Sequence, residues 1–151
     1  MKDDLRSRDP LHEGIFAYSV SCLLSRDREI EGNELRRFAR ELMVSVSGTC
    51  FHYGAIDIGH IKAYIETGTG FLYADTLGDA GDVTIEGREG DAVRSFRLVL
   101  NSVIYGITEE AVKEATEEAL ERTISGFGLS RQPVAPKVIP LYRPEGGRHD
   151  G

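Results

Sequence analysis

The chain has 151 residues, enough for one domain with a real core, since a domain of this size buries roughly two-thirds of the surface its unfolded chain exposes. It carries 18 basic and 25 acidic residues, a formal net charge of −7, and its arginines and lysines are scattered rather than clustered. This argues against a partner held by neutralising phosphates, whether nucleic acid or an anionic membrane surface. No run approaches the ~18 apolar residues of a membrane span, the first ten residues are charged without the apolar centre of a signal peptide, and two cysteines fit a reducing, cytoplasmic setting.

Residues 1–13 read as an N-terminal extension. From Ile15 to Leu24, the large side chains Phe16, Tyr18, Val20, Cys22 and Leu24 alternate with Ala17, Ser19 and Ser21, the two-residue period of a strand with its large row inward. Asn33 stands where an N-cap would, and Leu35, Phe38, Ala39, Leu42, Val46, Cys50 and Tyr53 follow at helical spacing until Gly54 stops the helix. Its second half also carries Val44, Ser47, Gly48 and Phe51 on the other side, which predicts an end buried all round.

Ile56, Ile58, Ile61, Ala63 and Ile65 form one inward row only if the alternation slips by a residue at Gly59 and His60, so a β-bulge is expected there. Gly68-Thr69-Gly70 reads as a tight turn into a strand from Phe71 to Leu77, making 56–77 an antiparallel hairpin. A short strand at Val83–Glu86, a loop at Gly87–Val93 and a long strand at Phe96–Tyr105 follow. Thr108 caps a second helix, stapled by Ile107 and Val112, with Ala111, Ala115 and Ala119 on a close-packing face, Glu110, Glu114, Glu117 and Glu121 outside, and Gly126 at its end. From Gly128 onward four of the five prolines occur, so 1–127 is read as one domain and 128–151 as a Pro-rich extended arm.

The order β-α-β-β-β-β-α predicts an α+β two-layer sandwich, a mostly antiparallel sheet of about five strands with two helices on one face, a ferredoxin-like variant. The alternative is a hotdog-like sheet wrapped round the first helix. In the last strand Phe96, Leu98, Leu100 and Ile104 form one apolar row, and Val99, Val103 and Tyr105 make the opposite row apolar as well. Two helices cannot cover both sides of a sheet, so the second side calls for the arm or another copy of the chain, and a homo-oligomer is expected.

No sequence motif names a reaction. Cys50-x-His52 with His60 nearby suggests zinc, but on a helix residues two apart point roughly 200° from each other and cannot grip one ion, so no metal and no cofactor is assigned. Cys22 and Cys50 are expected as free core thiols. Asp79, Asp82 and Glu86 lack the spacing of an EF-hand and read as turn acids, and Gly68-Thr69-Gly70 is too short for a phosphate loop.

The best candidate site is the run His60, Lys62, Tyr64. Spaced by two on one strand beside a bulge, these place an acid/base, a cation and a phenol on one face, and Asp75 lies on the partner strand. Two functions follow. One is a small cytoplasmic homo-oligomeric binding or assembly domain that takes a small anionic ligand, through Lys62 and Tyr64, in a groove between subunits. The other is a small metabolic enzyme in which His60, supported by Asp75, is the acid/base and Lys62 anchors a carboxylated or phosphorylated metabolite.

Overall fold

A computed structural model describes residues 14–79, 82–136 and 139–140. In chain order its elements are β1 (Ile15–Ile30), α1 (Gly32–His52), β2 (Asp57–Glu66), β3 (Phe71–Thr76), β4 (Val83–Arg88), β5 (Val93–Tyr105), α2 (Glu109–Gly126) and β6 (Ser130–Pro133). The strands form one sheet in the order β4-β3-β2-β5-β1-β6, antiparallel at every contact. Because β1 and β2 both run antiparallel to β5, they are parallel to each other across it, joined by α1. Likewise β5 and β6 are parallel across β1, joined by α2. Two interleaved split β-α-β units are the ferredoxin-like plan, here lengthened at one edge by the β3-β4 meander.

Six strands replace the expected five. The sixth comes from the first residues of the arm, which pair with Cys22–Ser25 at the edge of β1. The rest of the arm from 141, with 137 and 138, and the N-terminal extension 1–13 lie outside the described residues.

The helix-facing row of each strand is the one its alternation predicts. Phe16, Tyr18, Val20, Cys22 and Leu24 stand opposite Ile104, Ser102, Leu100, Leu98 and Phe96. On β2 the row Ile58, Ile61, Ala63, Ile65 is buried, and the pairing with β5 shifts between Ile58 and His60, as the expected bulge requires. Ile56 is not part of that row; it precedes the strand and is exposed. Phe38 of α1 meets Phe96 and Phe127 edge-on, with ring centroids 5.4 and 5.3 Å apart.

Both helices lie on this one face, side by side, which excludes a sheet wrapped round α1. The outer side of α1 is accordingly not buried: Val44 and Phe51 are exposed. Asn33 lies inside the first turn of α1 instead of capping it. Glu31 is the cap, through its carbonyl, which accepts from the Glu34 and Leu35 amides. Thr108 caps α2 as expected, its hydroxyl accepting from the Ala111 amide at 3.0 Å.

Polar locks close the two ends of the helical layer. The guanidinium of Arg26, side chain 5 % exposed, donates to Glu34 of α1 at 2.7 Å and to the Phe127 carbonyl at the end of α2 at 2.9 Å. That is why β1 runs on to Ile30 through a polar stretch. Near the arm, Arg131 of β6 donates to Glu117 at 2.9 Å and Glu121 at 2.6 Å, and the Tyr18 hydroxyl donates to Glu117. Glu117, expected on the solvated side of α2, is therefore the anchor of β6.

Two outcomes test this account. Gly59 is the extra residue of the bulge, and a Cβ there would lie 2.9 Å from the Val103 carbonyl oxygen, backbone that cannot step aside. Gly59→Ala should cost roughly 1–3 kcal/mol in urea unfolding, as overpacking does, and an unchanged midpoint would show that β2 and β5 are not so close. For Glu117, burial pushes the carboxyl upward, but hydrogen bonds from Arg131 and Tyr18 outweigh it and hold the group below the usual carboxylate range. Its contribution is thus complete above the unfolded value of about 4.3 and lost as pH falls through the lower folded value. Glu117→Gln should be less stable at neutral pH and lose less on acidification, and parallel acid curves for the two proteins would refute the anchor.

Candidate functional site

The sheet's second face, opposite the helices, is built from the alternate residues of every strand. Cross-strand partners share a face, so the register reads it out in rows. One row runs Ser19, Asn101, Lys62, Asp75, Thr84 across β1, β5, β2, β3 and β4. The next runs Ser21, Val99, Tyr64, Tyr73, Glu86, and on the other side of the polar row Ala17, Val103 and His60 stand together.

The structure brings all four expected site residues onto this one face, turned away from Ile61, Ala63 and Ile65. Asp75 is directly opposite Lys62, and it acts on His60 through charge, with no hydrogen bond between them among the described residues. Burial lowers the His60 pKa, the Lys62 ammonium lowers it further, and Asp75 opposes both. The imidazole is therefore neutral at pH 7, able to accept a proton. Tyr64 is a wall rather than a reachable phenol: it is 9 % exposed, with its ring 4.8 Å from that of Tyr73. Burial, with Glu66 and Tyr73 nearby, pushes its hydroxyl above the ordinary tyrosine value.

Residues that the sequence reading did not assign to the site complete the row. Ser19 donates to Asn101 Oδ1 at 2.5 Å, and Asn101 is the immediate cross-strand neighbour of Lys62. Nothing local marks either residue, because 82 positions separate them. Tyr73 and Phe71, ring centroids 5.7 Å apart, add an aromatic strip on β3 beside Tyr64.

Two concavities lie elsewhere. One of about 370 Å³ opens at the far end of this face between Leu23, Glu66, Thr67, Ser95 and Arg97, and one of about 10 Å³, room for a single water, lies between Gly32, Leu35, Phe71 and Arg88. Neither reaches His60 or Lys62. The Gly68-Thr69-Gly70 turn spends its amides internally, since Thr67 Oγ1 accepts from Thr69 at 3.1 Å and from Gly70 at 2.8 Å. Cys50 is buried and His52 exposed, on different sides of α1, and among the described residues no three His, Cys, Asp or Glu side chains gather as metal ligands. Burial pushes the thiols of Cys22 and Cys50 each up to about 11.

The His60 environment gives a signed prediction. Its titration midpoint, followed by NMR of the imidazole, should fall below the ordinary value of about 6.5. Lys62→Met should raise it only part of the way, because burial is the larger cause, and Asp75→Asn should lower it further. Midpoints that ignore both substitutions would mean the three side chains do not share this patch.

No family model matches the chain, and no curated protein matches it. Among solved structures, the Zn(II)-bound YjiA GTPase from E. coli is similar over 72 % of this chain and 30 % of that one, at 11 % identity with a TM-score of 0.33. This chain thus spans about 30 % of that protein's length, and a likeness this distant carries neither fold nor function across.

Proposed function

We propose that the chain is a small assembly domain of the reducing cytoplasm that associates with a second copy through the second face of its sheet and takes a small anionic ligand in the groove between copies. The observation that carries this reading is a cluster of apolar side chains, still partly open to solvent, on a face that holds neither helix. Val99 and Tyr64 are covered within the chain, but Tyr73, Phe71 and Val103 around them are only half-buried. Such a cluster belongs to an interface rather than to a solvated sheet.

Charge supports a self-complementary contact. The face carries Lys62, Arg88 and Arg97 against Asp57, Glu66, Asp75 and Glu86, one negative charge in excess, on a chain whose net charge is −7. Two copies can meet there without the repulsion the rest of the surface would impose, and an isologous pair needs this kind of balance. The two thiols, buried and not bonded to each other, accord with a reducing compartment.

The enzyme reading draws on one observation, a neutral His60 beside Lys62 and Asp75. No catalytic motif in the sequence accompanies those residues, so it stands second.

Light scattering at micromolar concentration should give at least twice the chain mass. Ala17→Arg, an exposed position on the second face, should return the monomer, whereas Val44→Arg on the outer side of α1 should leave the mass unchanged. A monomeric parent protein, or dissociation by the α1 substitution alone, would contradict the reading.

A further inference from the structure

We infer that Lys62 and Asn101, flanked by His60 and Asp75, form a subsite for a small monocarboxylate that bears a hydrogen-bond donor on the carbon next to its carboxyl group. This names the ligand class for the groove proposed above and rests on that reading only for the walls a second copy would supply; the donors themselves come from one chain.

The geometry starts with the amide of Asn101. Because Ser19 donates to its Oδ1, the amide orientation is fixed and Nδ2 is left on the other side, with Lys62 as the neighbour across the ladder. Among the described residues Nδ2 has no acceptor, and Lys62 has no ion pair or hydrogen bond although Asp75 stands directly opposite it. Cross-strand Cβ atoms are about 5 Å apart, so an ammonium and an amide N–H can meet the two oxygens of one planar carboxylate.

Charge decides against phosphate. Lys62 is the single full cation of the row, since the imidazole beside it is held neutral, and the Asp75 carboxylate would repel a second negative charge on the ligand. The same carboxylate, one strand further along, is an acceptor for a hydroxyl or ammonium on the adjacent carbon of the ligand. The Tyr64-Tyr73 pair closes one side of the row, and Val103 the other. The result is two donors followed by an acceptor along one row, the order that a 2-hydroxy or 2-amino carboxylate calls for.

The test uses the full chain with lactate, propionate and inorganic phosphate as probes, read by NMR at the Lys62 and Asn101 amides and the His60 ring, with light scattering on the same samples. Lactate should bind saturably, propionate several-fold more weakly, and phosphate less well than lactate. Lys62→Met and Asn101→Leu should each weaken lactate by about tenfold or more, the loss expected for a hydrogen bond to a charged group, with melting temperatures near that of the parent. Phosphate binding as tightly as lactate, or lactate binding untouched by Lys62→Met, would overturn the subsite. A self-associated protein that binds no lactate overturns the subsite and leaves the assembly reading standing, whereas saturable lactate binding by a monomer supports the subsite and overturns the assembly reading.

Discussion

β5 is hydrogen-bonded along both edges, to β1 through Ile15–Ser25 and to β2 through Asp57–Glu66, and every other element takes its place from those two ladders. Neither neighbour is adjacent to β5 in sequence. β1 must leave a gap for it, which α1 bridges, and β6 can reach the sheet only after α2 has carried the chain back over β1. The two helices end up on the same face because each spans one strand of that central trio.

The strand has two rows, and they impose different demands. Phe96, Leu98, Leu100 and Ile104 face the helices and are fully covered, with Ser102 the one polar member, its hydroxyl accepting from Thr116 of α2 at 3.1 Å. Burying each such large apolar side chain stabilises the fold by roughly 1.5–3 kcal/mol. Arg97, Val99, Asn101, Val103 and Tyr105 make the other row, where Val99 is as buried as any core residue. The polar line through Asn101 and Lys62 therefore runs between Val99 and Tyr64 on one side and Val103 on the other. The bulge at Gly59 belongs to the same constraint: were Gly59 paired in regular alternation, His60 and Lys62 would share a face with Ile58 and point into the core.

Much of this was legible from residue periods. The inward row of β1, the stripe of α1, the slip at Gly59, the turn at 68–70 and the Thr108 cap each depend on neighbours within a few positions, and each was found where the pattern put it. What local pattern could not reveal was pairing. Ser130–Pro133 is polar and ends in proline, so nothing marks it as a strand until Arg131 is seen reaching Glu117 and Glu121. The strand reading stopped at Leu24 because Arg26, in the polar end of β1, finds its acceptors on α1 and after α2. For the site, the shared face of His60, Lys62 and Tyr64 followed from their spacing. That Asp75 stands opposite Lys62, and that Asn101 completes the row, are facts of register alone.

The central claim, that a second copy covers the helix-free face, is tested most directly by hydroxyl-radical footprinting at a series of protein concentrations. Tyr73 and Phe71 lie on that face, and Phe51, exposed on α1, serves as the internal reference. The account predicts that labelling of Tyr73 and Phe71 falls as concentration rises through the association range while Phe51 is labelled throughout. Labelling of Tyr73 that stays constant with concentration, or protection that grows at Phe51 instead, would contradict it.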